Sequence, residues 1–234
     1  MISKDAISAI MPLAEFNYGV NISQDHSFLY FENPKCACGT IKASLQMHVA
    51  NAKGETLAFD STKRLHDKSQ SLLKSPDEIP HGLFQEMLQS NSVFIFSFVR
   101  NPYQRALSCY LDKMQDPWYC AKLGLSHFNG MPPFVEFLKA IQRQHIYEMD
   151  PHWRVQTYQI FYNFINYDFI GRFEKLAEDL PHVLKKIFRE VSFGTLPHFG
   201  KGSTKQHTQY FTAEAVKCIQ DIYMEDFINF NYPL

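Results

Sequence analysis

A chain of 234 residues, 45% hydrophobic and 20% charged, is long enough to bury a full core and is expected to form one compact domain. Its formal net charge of −1 excludes a global basic field of the kind that recruits nucleic acid, so any anion site must be built locally. No run approaches the ~20 apolar residues of a membrane span; the modest apolar stretch from Ala6 to Ala14 is interrupted by Pro12, so neither a signal peptide nor stable membrane insertion is expected, and a cytoplasmic protein is read.

In chain order, Ser27 to Glu32 is a short apolar run closed by Asn33-Pro34, which predicts a buried strand. A compact loop, Lys35 to Gly39, leads into a helical pattern from Thr40 to about Val49. Residues 51–80 are polar and broken by Pro76 and Pro80, and Gly82 to Gln89 reads as a short helix. Val93 to Val99 is apolar at nearly every position, the pattern of a strand covered on both faces in a parallel sheet. Asn101 then supplies an N-cap and Pro102 a first helical residue for a helix to about Met114.

Further helices are predicted from Phe134 to Gln144, from Leu176 to Val191 with Pro181 as a point of kinking, and from Thr212 to Phe227. A third short strand is predicted over Tyr167 to Gly171, and the Gly-, Ser-, Lys- and His-rich stretch from Phe199 to Gln209 reads as a loop. Strands alternating with helices predict an α/β fold, with a central, mainly parallel sheet flanked by helices in three layers.

The 21 Phe and 12 Tyr are mostly core by number alone, so no single aromatic marks a binding platform. Five cysteines form no spaced framework: Cys36 and Cys38 are one residue apart, and Cys109, Cys120 and Cys218 are scattered. Reduced, partly buried thiols are expected, with neither a disulfide scaffold nor a zinc site.

Two strand–loop–helix junctions carry anion-binding chemistry, and ligands of such sheets sit beyond the carboxyl ends of the strands. In the first, Asn33 to Lys42, small residues and Gly39 let backbone N–H groups curl around an oxyanion. The following helix adds its positive end, Thr40 a hydroxyl, and Lys35 and Lys42 charge. It is not a Walker A loop, because its lysine opens the loop instead of preceding the threonine. In the second, Arg100 leaves the strand end, Arg105 lies one turn into the helix and Ser108 one turn further. Arginine presents a planar fork to a phosphate, and a hydroxyl completes the pocket. Each junction alone reads equally as an ordinary turn with solvated basic residues; together they suit one ligand with two separate anionic groups.

These segments resemble the sulfotransferases that use 3′-phosphoadenosine 5′-phosphosulfate (PAPS), specifically the carbohydrate sulfotransferase branch with the chondroitin and HNK-1 enzymes. Pro34 to Thr40 is similar to that family's 5′-phosphosulfate loop, and Val99 to Tyr110 to its 3′-phosphate motif, in which an Arg and a Ser eight residues later hold the phosphate. Asp150 to Gln156 resembles a His-Trp block, Asp168 to Glu174 a segment near the adenine, and Tyr223 to Tyr232 the closing helix. The membrane anchor and the cysteine pairs of many members are not found.

The resemblance implies a P-loop-like domain over residues 1–234, with PAPS as donor, desulfated PAP as product, a carbohydrate or glycoconjugate acceptor and no metal. It implies that Lys35 meets the bridging or leaving oxygen, that Cys36, Ala37, Cys38, Gly39 and Thr40 hold the 5′-phosphosulfate, that Arg100 and Ser108 hold the 3′-phosphate, and that Arg172 or Phe173 lies near the adenine. Sulfuryl transfer, like phosphoryl transfer, needs positioning, charge stabilisation and a proton acceptor. Among ten histidines His66 is the first candidate base and His152 the second, ahead of His81 and His207. Two other readings stay open: a P-loop-type nucleotide kinase or NTPase, and an inactive PAP-binding adaptor. The sequence assigns no oligomeric state.

Overall fold

The structure, a computed structural model, describes residues 2–57, 67–80, 82–188 and 208–234. Among the described residues its sheet has four strands in chain order: β1 (Val20–Ser23), β2 (Phe28–Phe31), β3 (Phe94–Val99) and β4 (Phe169–Arg172). β1 runs antiparallel to β2, and β2, β3 and β4 run parallel, with Phe31 opposite Ser97 and Val99 opposite Arg172. The carboxyl ends of the three parallel strands therefore lie along one edge, which places Asn33, Arg100 and Phe173 just beyond it.

Helices precede and separate the strands: α1 (Lys4–Ser8), α2 (Leu13–Gly19), α3 (Cys38–Ala52), α4 (Leu83–Gln89), α5 (Pro102–Lys113), α6 (Pro117–Lys122) and α7 (Phe134–Gln142). They continue as α8 (Gln156–Gln159), α9 (Leu176–Ile187) and α10 (Ala213–Asn229). α5 starts as its sequence dictates: Asn101 Oδ1 accepts from the Tyr103 and Gln104 N–H groups, and Pro102 fills the first turn, where its missing donor costs nothing.

Side chains alternate across the sheet with the period of two that a pleated strand imposes. Phe28, Tyr30, Phe96 and Phe98 face Ile41, Leu45 and Val49 of α3 and Leu180, Val183 and Leu184 of α9. Leu29, Phe31, Ile95 and Val99 face the other way, into a larger core with Leu107 of α5, Leu138 and Ile141 of α7 and Ile219 and Phe227 of α10. Helices thus cover both faces, as the continuous apolar run of β3 predicts. Each fully buried Phe contributes about 2–3 kcal/mol of transfer free energy.

β1 and the short helices α1, α2, α6 and α8 are additions to the sequence-based reading. Pro181 sits inside the single span of α9, while the non-helical backbone falls at Tyr223 in α10. All five cysteines are free, four of them buried. No helix among the described residues is long and apolar enough to cross a membrane.

Candidate active site

The loop after β2 is built on a backbone that side chains rarely adopt. Lys35 and Ala37 both have left-handed φ, at 71° and 65°, and each such non-glycine residue costs on the order of 1–3 kcal/mol. The turn delivers α3 with Ala37 as its N-cap, which offers no side-chain acceptor. The leading N–H groups of this 15-residue helix therefore lack the usual side-chain cap, and they carry its partial positive charge. Cys36 is fully buried and its thiol is pushed up to about 12 by burial; burial likewise raises Cys38. Neither thiol is suited to nucleophilic work, which leaves the loop its backbone N–H groups as the chemistry it can offer.

Arg100 joins this loop directly. Its Nη1 donates to the Lys35 carbonyl at 3.1 Å, and its guanidinium lies 4.0 Å from the centre of the Phe173 ring. Nε of the same guanidinium is buried with no hydrogen-bond partner among the described residues. Burial also holds Arg100 below the usual arginine range. A buried, unspent donor is costly unless a ligand completes it. An anion beside the loop would do so, and the residues therefore fit a phosphate-bearing donor. Ser108, half-buried on α5, follows two turns later.

Three expected contributors have other occupations. Lys42 is buried in an ion pair with Glu32 at 2.8 Å, so it stabilises the floor of the loop and does not project into it. Arg105 is 1% exposed and donates to the carbonyls of Pro34, Arg154 and Pro151 at 3.0, 2.8 and 3.1 Å. It points inward because α5 packs that face against the core, and it serves as a bracket. Arg172 donates to the Phe230 carbonyl at 2.6 Å and covers the Tyr232 ring at 4.6 Å, which leaves Phe173 as the member of that pair beside Arg100. Thr40 is also buried, and its carbonyl accepts the Ser44 hydroxyl at 2.9 Å.

The two junctions are held together by a clasp that sequence reading missed. Gln156 Oε1 accepts from Asn33 Nδ2 at 3.0 Å and from the Arg100 N–H at 2.9 Å, while its Nε2 donates to the Arg100 carbonyl at 2.9 Å. Asp226, fully buried on α10, accepts from the N–H groups of Gln156 and Thr157 at 2.9 and 2.8 Å. Glu174 accepts from the Asn101 N–H at 2.7 Å and from the Tyr232 hydroxyl at 2.9 Å. Gln156, Glu174 and Asp226 all sit in segments singled out by resemblance, but their mutual pairing has no sequence signature.

On the far side of Arg105 lies His152. Its Nδ1 is 2.6 Å from Asp150 Oδ1, and Asp150 Oδ2 is 3.0 Å from Lys122 Nζ. The Arg105 guanidinium thus ties the carbonyl of the residue before Lys35 to that of the residue before His152. Lys122 Nζ lies over the rings of Trp118 and Trp153 at 5.4 and 5.6 Å, and Trp118 is 60% exposed. Lys35 Nζ pairs with Asp112 Oδ2 at 3.1 Å. His66, His81 and His207 lie outside the described residues, as does the loop expected from Phe199 to Gln209, up to residue 207. No cluster of metal-binding side chains is found among the described residues.

Comparison with known proteins matches the model of the Sulfotransferase family to residues 18–233. The chain is 26% identical to carbohydrate sulfotransferase 14 of Danio rerio, over 91% of this chain and 62% of that protein. It is 27% identical to carbohydrate sulfotransferase 9 of Homo sapiens, over 91% of this chain and 53% of that protein. It is 24% identical to carbohydrate sulfotransferase 11 of Rattus norvegicus, over 91% of this chain and 66% of that protein. The chain thus spans about half to two thirds of the length of these relatives. No solved structure matches.

Proposed function

This chain belongs to the sulfotransferase family, and from that premise we propose that residues 1–234 form one sulfotransferase domain that moves a sulfuryl group from PAPS to a carbohydrate hydroxyl. The observation that carries the proposal is the direct contact between the two anion-binding junctions, Arg100 Nη1 on the Lys35 carbonyl, with Arg100 Nε unspent beside it. A ligand with phosphates at both ends of one nucleoside is the chemistry such a pair recognises. The strand–loop–helix unit of β2 and α3 is P-loop-like in this reading, with its lysine moved to the loop start.

PAPS, when bound, supplies an activated sulfuryl group. The chain's part is then positional and electrostatic. The backbone N–H groups around Cys38 and Gly39 face the 5′ end, Lys35 offers an ammonium for the leaving oxygen, and Arg100 and Ser108 hold the 3′-phosphate, with Phe173 beside the base. His152 is the proton acceptor in this reading, supported by its pairing with Asp150. With Nδ1–H donating to Asp150, its Nε2 keeps a lone pair for the acceptor hydroxyl, and the imidazolium formed would be stabilised by the same carboxylate. His66 stays a second candidate on sequence grounds. A carbohydrate acceptor is supported by the names of the relatives, which are carbohydrate sulfotransferases, and by the exposed Trp118 ring beside Lys122, an aromatic face suited to a sugar ring.

The test is transfer of radiolabelled sulfate from PAPS to a panel of unsulfated glycans, with wild type and His152→Ala. Label should enter at least one glycan with wild type. His152→Ala should cut the rate by a factor of about 100 or more and leave PAP affinity intact. PAP binding without transfer to any glycan would favour the adaptor reading, and magnesium-dependent ATP hydrolysis the nucleotide kinase or NTPase. Undiminished transfer by His152→Ala would move the base to His66.

A further inference from the structure

Lys35, the ammonium expected at the sulfuryl group, is already engaged. Its Nζ sits 3.1 Å from Asp112 Oδ2, and the same carboxylate oxygen is 3.2 Å from Lys113 Nζ. Asp112 lies on α5 one turn beyond Ser108, so it shares that residue's face of the helix. Its side chain is 51% exposed, against 17% for Lys35, and Lys113 gives it a second cation. Partial burial pushes the Asp112 carboxyl up, but Lys35 and Lys113 overcome this and hold it below the usual carboxylate range.

We propose that Asp112 is a positioning residue for the donor site, a resident counter-ion that holds Lys35 until a 5′-phosphate or phosphosulfate takes its place. Two observations carry it: the ion pair itself, and a second cation ready to keep Asp112 paired once Lys35 leaves. An exchange of this kind has a definite cost structure. Each binding event must break the Lys35–Asp112 pair, so the carboxylate lowers donor affinity in the ground state. In return, Lys35 is kept from pairing elsewhere, and its charge reaches the sulfuryl group only when the nucleotide is seated. The inference rests on the donor reading above.

Its consequence is unusual, because removing a charged partner should improve binding. Asp112→Asn keeps the shape and removes the charge; calorimetry should show PAP bound about three- to tenfold more tightly than by wild type. Asp112→Glu, which can rebuild the pair, should bind PAP like wild type. Adenosine 3′-phosphate, which lacks the 5′ group that Lys35 would meet, should show no gain with Asp112→Asn. A structural role for Asp112 would weaken PAP binding, and simple repulsion of the 3′-phosphate would strengthen both ligands equally. Either result, or an unchanged PAP affinity, overturns the proposal. If wild type binds no PAP at all, the donor reading fails and takes this inference with it, and that outcome is distinct from the others.

Discussion

Asp150 stands between two basic side chains, His152 on one oxygen and Lys122 on the other. Burial alone would raise its carboxyl, but the hydrogen bond and charge of His152, with Lys122 behind them, hold it far below the usual range. A depressed acid contributes stability that is complete above its unfolded value near about 4, and that stability is lost as pH falls through the folded value. The thermal midpoint of wild type should therefore drop below about pH 4, and Asp150→Asn should show a shallower drop over the same window. Equal slopes for the two proteins would remove Asp150 from the pH dependence and weaken its role in orienting His152. Residue spacing could not distinguish such roles. Arg105 lies one turn into a helix behind an anion-binding strand end, and that position reads the same whether its guanidinium faces a ligand or, as found, three backbone carbonyls. Lys42 is the same case: its spacing suits an anion loop, and only the folded chain shows Glu32 beside it.

Among the elements, the β2 and β3 junctions were legible because their signals are local: an apolar run, then a breaker or a cap, then helical periodicity. β1 was not, since four residues with Asn21 among them acquire strand character only by pairing with β2. β4 matches its predicted position to within two residues, and it carries a constraint of its own. A Cβ on Gly171 would lie 2.3 Å from Phe98 Cε1 and 2.6 Å from Cδ1, inside van der Waals contact with a ring that is fully buried between β3 and α9. Gly171→Ala should thus cost about 1–3 kcal/mol in urea unfolding, with the ring forced to shift next to the strand end that leads to Phe173. A neutral substitution would show that this layer can relax, and that the approach of β4 to β3 is not set by the missing side chain.

For the molecule as a whole, the site exists because distant segments converge on one sheet edge. Gln156 links Asn33 to Arg100, Asp226 fixes Gln156, and Glu174 joins the start of α5 to Tyr232. These contacts span sequence separations of 56 to 123 residues. No local pattern encodes them, and this is why the two strand–loop–helix junctions were readable from motifs while the scaffold that joins them was not. Burial raises the Asp226 carboxyl, and four hydrogen bonds from Gln156 and Thr157, with the charge of Arg105, offset only part of that rise. Such a buried network favours one arrangement of the segments it joins. In the proposed reading the acceptor side is built more locally, from α6 and the Asp150–Trp153 turn, and its exposed aromatic face is where acceptor choice is expected to reside.

The central claim is that the loop from Lys35 to Thr40 and Arg100 form one donor site. Calorimetric titration of PAP into wild type and Arg100→Ala tests it most directly. Wild type should bind, and the variant, stripped of the guanidinium that bridges the loop and carries the unspent donor, should bind about a hundredfold more weakly, a loss of about 2.7 kcal/mol. Equal affinity in the two proteins, or no binding by wild type at millimolar PAP, would contradict the account.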